Sequence, residues 1–464
     1  MKILSIETSC DETAISIIEA EFVHVDSSKA VKSRPVFKVL GNALYSQAET
    51  HADFGGVFPT LAKREHIINF TPILISALQD AGMLIEKFET ESTTEAKSSE
   101  KKVLADALSF LSEREQDMHD QLLDFLMKYE TPKIDAIAVT VGPGLEPALW
   151  VGINGAKALS YIWQLPIIPT NHMEGHITSV LIDDEIPAGA NIHFPAVALL
   201  ISGGHTELVQ VNSWGDYKLL GQTRDDAVGE AFDKVARIIG LKYPGGPKIS
   251  ALAKRFRDGE FSSKDISADN TSSSLRKPWD LPRPMITKKD CDFSFSGLKT
   301  SVLYAVRDYK KNPTTGEQEE LSESDKASLC AEFEQAVTDV LISKTKRALE
   351  ESGAKTLIIG GGVSANTFIK ESFAKMIADE FTFENSTDGA TKDNTIQNAL
   401  NSQDQSVTLL VPQKNLSTDN SLMIGIAGFL RYSSGHFIAK IDKKHLAWNQ
   451  EEFPELRANG NLGL

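Results

Sequence analysis

The sequence predicts an α/β protein of two lobes related by internal duplication, and three observations carry that reading. The chain has 464 residues, more than one hydrophobic core usually organises. A hairpin, a third strand and a helix recur in the same order in both halves. Glycine-rich turns follow apolar strands in several places.

The first copy opens with a strand at Lys2–Ile6, a polar turn at Glu7–Thr13 and a second strand at Ala14–Ile18. A third strand is predicted at Phe37–Tyr45, and a helical pattern runs from about Thr60 to Gly82. Residues 89–101 are mostly Glu, Ser, Thr and Lys, a composition expected to be looped or disordered. Beyond them Leu104, Leu108, Leu111, Met118, Leu122 and Leu126 sit at helical spacing. They predict an amphipathic helix, docked on its own lobe or offered to a partner. The second copy runs through a strand at Ala196–Ile201, a turn at Ser202–Thr206, strands at Leu208–Val211 and Tyr217–Gly221, and a helix from about Asp226 to Ile239. The polar stretches Asp258–Ser274 and Glu384–Ser406 read as surface loops.

Bulk composition narrows the class. Hydrophobic residues make up 41% and charged residues 24%, ordinary for a soluble domain. No apolar run reaches the roughly 18 residues of a spanning helix, so no membrane role is expected. A strand-like run begins at Ile3, which leaves no room for a leader segment. The three cysteines, Cys10, Cys291 and Cys330, form no CxxC pair, which fits the reducing cytoplasm and argues against a zinc ribbon. The net charge of −16 opposes an unaided grip on nucleic-acid phosphates. Binding of that kind would need a local basic cluster or basic partners. The best cluster is Arg276, Lys277, Arg283, Lys288, Lys289 and Lys299.

The sharpest local signal is Asn171-His172-Met173-Glu174-Gly175-His176. Histidines four apart lie on one face of a helix, where both imidazoles can reach one metal ion. A zinc protease needs Glu directly after the first His, and Met173 stands there, so that reading fails. Three small-residue turns, Ser202–Thr206, Tyr243–Pro247 and Gly360–Asn366, let backbone N–H groups approach an anion or an adenine ring. None matches a P-loop or a dinucleotide fingerprint, and together with the duplication they favour a nucleotide between the lobes. Among carboxylates, Asp11 and Glu12 occupy the first hairpin turn, where a base or a water-positioning group can sit. Asp233 lies on the helix before Tyr243. Asp419 precedes an apolar helix at Leu422–Leu430, and its local reading is an N-cap.

These segments, in order, resemble the universal tRNA threonylcarbamoyladenosine transferase family, TsaD in its bacterial form. The matching stretches are IETSCDET at Ile6–Thr13, HADFGGVFP at His51–Pro59, GPGL at Gly142–Leu145, NHMEGH at Asn171–His176 and LISGGHT at Leu200–Thr206. GEAFDKVAR at Gly229–Arg237, YPGGP at Tyr243–Pro247, FSFSGLKT at Phe293–Thr300, GGVSAN at Gly361–Asn366 and STDN at Ser417–Asn420 complete them. The departures are Pro147 and Ser421, each where the family usually has Gly.

The resemblance implies the duplicated actin, Hsp70 and sugar-kinase (ASKHA) fold with helical and polar insertions. Residues 1–168 would form the first lobe, with an insertion at about 85–130. Residues 169–416 would form the second, with a polar insertion at about 384–406, and residues 417–464 would return to the first. It implies one metal ion, Fe2+ or Zn2+, on His172, His176 and Asp419. Leu200, Ile201, Ser202, Gly203, Gly204, Asp233, Gly246 and Asn366 would hold threonylcarbamoyl-AMP. The implied reaction moves the threonylcarbamoyl group to adenosine 37 of tRNAs reading codons that begin with A, with TsaB and TsaE as accessory proteins. For that chemistry Asp11 or Glu12, in the first hairpin turn, is the expected acceptor of the amine proton. The rivals on the same fold are a small-molecule kinase and an Hsp70-like nucleotide switch.

Overall fold

A computed structural model describes residues 1–27, 30–88, 94–182, 192–261, 279–310, 320–381, 407–442, 446 and 454–464. The loop expected at Glu384–Ser406 lies outside these residues, as do Arg276, Lys277 and most of the stretch Asp258–Ser274. The chain divides into two compact units, each with its own five-stranded sheet.

The first unit comprises Met1–His51, Val57–Ile186 and Asp419–Leu464. Its strands are β1 (Lys2–Glu7), β2 (Glu12–Ser27), β3 (Ala30–Ser46), β4 (Ala136–Gly142) and β5 (Ile167–Asn171), in the order β3-β2-β1-β4-β5. β1 pairs antiparallel with β2 and parallel with β4, placing Ile6 opposite Ile15 and Val139. β1, β4 and β5 are buried along most of their length, which suits their mostly apolar sequences. Around the sheet run α1 (Ala48–Ala52), α2 (Pro59–Asp80), α3 (Thr94–Ser112), α4 (Gln116–Lys128), α5 (Glu146–Trp163) and the short α6 (His172–Thr178).

Two expectations fail in this unit. Residues 94–101 are not loop but the first turns of α3, because Ala96, Lys97, Glu100 and Lys101 are good helix formers whatever their polarity. The single amphipathic helix is two, α3 and α4, interrupted at Glu113–Glu115. Leu108, Leu111, Met118, Leu122 and Leu126 bury into the core that also holds Phe70 and Leu159, so this stripe docks on its own unit.

The second unit comprises Ala52–Gly56 and Pro187–Thr418. Its strands are β6 (Ala196–Ile201), β7 (Thr206–Ser213), β8 (Asp216–Gln222), β9 (Thr356–Gly360) and β10 (Thr408–Leu410), in the order β10-β9-β6-β7-β8. The central strand β6 again pairs antiparallel with the next strand, β7, and parallel with a later one, β9. The sheet therefore repeats the strand order and directions of the first. Its helices are α7 (Val228–Ile238), α8 (Gly245–Arg257), α9 (Ser296–Lys310), α10 (Glu323–Ser352) and α11 (Thr367–Glu380). A capping box between Ser322 and Asp325 starts α10, and Gly353 in the left-handed region (φ 64°) ends it. The chain then re-enters the first unit, where α12 (Ser421–Ser433) packs on β1, β2 and β5.

Candidate metal centre and nucleotide turns

Two short caps build the first site. β5 runs straight into α6, and Asn171 at the junction accepts the N–H groups of Met173 (2.8 Å) and Glu174 (3.3 Å). At the other helix, Asn420 accepts the Met423 N–H at 3.0 Å. The cap of α12 is thus Asn420, which corrects the local reading of Asp419: the neighbouring amide takes the capping bond and leaves the Asp419 carboxylate to reach across to α6. Gly175 makes the approach feasible, since a Cβ there would stand 3.0 Å from Met423 and 3.1 Å from Ile424.

Asp419 Oδ1 lies 3.4 Å from His172 Nε2 and 3.2 Å from His176 Nε2. One ligand atom from each residue falls within 4.8 Å of the others, as a shared metal ion requires. His176 is fully buried; its Nδ1 has no hydrogen-bond partner, and its Nε2 meets only the Asp419 carboxylate, outside good hydrogen-bond geometry. A buried imidazole so poorly satisfied is costly, and a metal ion shared by Nε2 and the carboxylate would relieve it. Two imidazoles and one carboxylate suit a borderline transition metal such as iron or zinc. The residues present therefore fit the group.

Glu7 was missed from the sequence. It ends β1, is fully buried, and places Oε2 3.1 Å from His172 Nδ1. Thr140 Oγ1 donates to the same oxygen at 2.7 Å, and the Ser9 N–H donates to Oε1 at 2.5 Å. A carboxylate on the far ring nitrogen fixes the tautomer, so His172 presents Nε2 to Asp419. Burial works against charge on His172, yet the Asp419 and Glu7 carboxylates hold its pKa well above the usual histidine range. Burial also opposes charge on Asp419, and the two imidazoles still hold it well below the usual carboxylate range. His176 is shifted down, chiefly by burial. A charged residue closing an apolar strand was the signal for Glu7. Glu174 turns away from this group to pair with Arg431 at 3.0 Å.

Asp11 and Glu12 stand at the start of β2 in the same unit. Burial raises the Glu12 pKa well above normal, and the charges of Asp11 and Asp419 add to it, so this carboxyl feels the Asp419 charge. Burial likewise pushes the Cys10 thiol up, with Asp11 adding to it. Of the two departures from the family pattern, Pro147 occupies the first turn of α5, where its missing N–H costs nothing. Ser421 begins α12 with its hydroxyl buried and unpartnered.

The second unit gathers the other predicted residues. The side chains of Leu200 and Ile201 are core, so this strand end can present only its backbone and Ser202–Gly204 beyond it. The Gly229 N–H at the start of α7 donates to the Ser202 carbonyl (3.1 Å), joining α7 to that turn. Asp233 Oδ1 accepts the Gly245 N–H at 2.7 Å, which ties α7 to the start of α8. Gly361, with φ 88°, backs so closely on Ile201 that a Cβ would meet its carbonyl oxygen at 2.5 Å. Four separated segments thus converge. A Cβ on Gly203 or Gly204 would touch nothing within 4 Å, and on Gly246 only Phe232 at 3.9 Å. Neither packing nor a positive φ requires glycine at these three positions; their bareness leaves open space beside the backbone. Asn366 caps α11 through Oδ1, accepting the Ile369 N–H at 3.1 Å. Of the basic cluster, Arg283 is committed to Glu332 (2.5 Å) and Asp339 (2.9 Å), while Lys288 and Lys289 are exposed. No helix among the described residues is long and apolar enough to cross a membrane.

Residues 38–92 and 111–426 match the family described as TsaD: tRNA N6-adenosine threonylcarbamoyltransferase. The chain belongs to this family of tRNA-modifying acyltransferases. Among solved structures, full-length HypF in a phosphate- and nucleotide-bound form is similar at 11% identity and a TM-score of 0.35, over 69% of this chain and 42% of that one. HypF of T. kodakarensis is similar at 12% identity and a TM-score of 0.32, over 69% and 43%. The chain spans less than half the length of either.

Proposed function

We propose that the chain transfers the threonylcarbamoyl group from threonylcarbamoyl-AMP to the exocyclic amine of adenosine 37, in tRNAs reading codons that begin with A. The observation that carries this reading is the His172–His176–Asp419 group, freed for a metal by the Asn420 cap. The repeated sheet order supports the duplicated actin, Hsp70 and sugar-kinase fold, one unit per lobe. We assign Ser202–Gly204, Gly246 and the turn ending at Asn366 to the adenylate, and Asp233 to its ribose hydroxyls.

The donor mixed anhydride arrives activated, with AMP as the leaving group. Adenine's exocyclic amine is a weak nucleophile, because its lone pair is delocalised into the ring. Positioning it against the carbamoyl carbon, and stabilising charge on the carbonyl oxygen, are therefore the main catalytic tasks. A bound Fe2+, with Zn2+ as the second choice, would supply a Lewis acid for that oxygen. Glu7 keeps His172 in the tautomer whose Nε2 would be free to hold such an ion. The amine forms the new C–N bond, the C–O bond to AMP breaks, and the amine proton passes to Asp11 or Glu12. Burial and the neighbouring carboxylates raise the Glu12 pKa, which favours its holding that proton once it is transferred. The kinase rival is disfavoured, since magnesium prefers oxygen donors to paired imidazoles.

The net charge of −16 makes partners necessary for tRNA capture, and TsaB and TsaE are the accessory proteins we assign. The test is reconstitution. The purified chain with TsaB, TsaE, threonylcarbamoyl-AMP and unmodified tRNA should yield threonylcarbamoyladenosine and AMP in equal amounts. Phosphorylation of a small molecule by ATP without tRNA modification would overturn the reading.

A further inference from the structure

Glu334 sits on α10 with its carboxylate fully buried, on the same face as Cys330, Val337 and Leu341. A lone buried carboxylate is strongly unfavourable, so its partners define its purpose. It has three. Ser250 Oγ donates to Oε1 at 2.7 Å and Asn366 Nδ2 donates to the same oxygen at 2.6 Å. Arg257 donates to Oε2 at 2.5 Å, and also to the Ala331 carbonyl at 3.1 Å. The Arg257 guanidinium in turn lies 3.4 Å over the centroid of the Phe368 ring. One carboxylate therefore joins α8, α10 and the start of α11.

The consequence for Asn366 is specific. Its Nδ2 donates to Glu334 and to Ser250 Oγ (2.8 Å), while Oδ1 caps α11. The amide is held in one orientation with both N–H bonds committed inside the protein. Asn366 thus fixes the turn rather than offering its N–H groups to a ligand, and the turn's backbone is what remains to face one. Ser250 lies on the helix that Gly245 and Gly246 begin, so the same carboxylate steadies two of the glycine turns together.

We propose that Glu334 is a positioning residue for the nucleotide: through Asn366 and Ser250 it sets the Gly360–Asn366 turn and the start of α8 in the geometry that takes the adenylate. This rests on the assignment of those turns to the nucleotide. It predicts that the pair tolerates an exchange of polarity. In Glu334→Gln with Asn366→Asp, the new amide donates to the new carboxylate, which still caps α11, and the Gln oxygen still accepts from Arg257.

The experiment titrates AMP into the full chain by calorimetry and, in the reconstituted assay, measures kcat and KM for threonylcarbamoyl-AMP. Asn366→Asp, which sets two carboxylates against each other, should weaken AMP binding by about tenfold or more, the scale of a lost charge-assisted hydrogen bond. Glu334→Gln alone should weaken it several-fold, and the double variant should return to within about threefold of wild type. The single variants should raise KM and spare kcat, whereas a general folding defect would lower the active fraction and hence kcat. Ser250→Ala, a milder change, should raise KM in the same direction. Wild-type AMP affinity in all the single variants, or additive losses in the double, would overturn the proposal while leaving the nucleotide assignment standing. A wild-type chain that binds no AMP would overturn both.

Discussion

Asn420 caps α12 by accepting the Met423 N–H at 3.0 Å, and its neighbour Asp419 lies 3.2 Å from His176 Nε2. Adjacent residues thus divide two tasks that either side chain could perform. Asn420→Ala should cost about 1 kcal/mol of stability through the lost cap. It should also weaken metal binding by loosening Asp419. Asp419→Ala should abolish metal binding while α12 keeps its cap. Thermal melts with metal analysis of both proteins check the division; metal retained at wild-type level in Asp419→Ala would refute it.

Glu7 holds the outer nitrogen of His172. Glu7→Gln should lower metal affinity by about 10–100-fold, the usual cost of losing such a partner. Competition against a coloured chelator measures it. An unchanged affinity would mean that Ser9, 3.1 Å from the same nitrogen, suffices to orient the ring.

Glu115 gives a pH signature to the first unit. Burial pushes its pKa from 4.5 up to about 7, against the opposing pull of Asn154 and Lys63. The folded state therefore binds this proton more tightly than the unfolded chain. Its stabilisation is complete below about pH 4.5 and is lost as pH rises through about 7, on the order of 3 kcal/mol in all. Glu115→Gln keeps an acceptor for Asn154 and removes the titration. Its melting temperature relative to wild type should rise between pH 5 and pH 8, and a constant difference would contradict the assignment.

Leu122 on α4 is fully buried in the first unit's core. Leu122→Ala should cost about 2–5 kcal/mol, as for core leucines generally. Denaturant unfolding gives the value. A cost below about 1 kcal/mol would mean that the α3–α4 pair rests loosely and is available to a partner after all.

The strand and helix grammar was legible because periodicity and turn residues act locally. So was the histidine pair, since residues four apart on a helix must share a face. The place of Asp419 beside the two histidines was legible only by resemblance: Ser417-Thr418-Asp419-Asn420-Ser421 offers five residues able to cap a helix, and the contact that selects among them is with α6, distant in sequence. Glu7 and Glu334 escaped notice because their partners come from other elements. Each nevertheless left a trace, a charge where the apolar pattern calls for none. The turns of α3 at 94–101 were misread because composition was taken for conformation.

We propose that this chain makes threonylcarbamoyladenosine through a metal held by His172, His176 and Asp419. The most direct measurement depletes the chain in its own cells and quantifies that nucleoside in bulk tRNA by mass spectrometry. The nucleoside should fall as the chain is lost and return when wild type, but not Asp419→Ala, is re-expressed. An unchanged level after depletion, or full recovery with Asp419→Ala, would overturn this proposal.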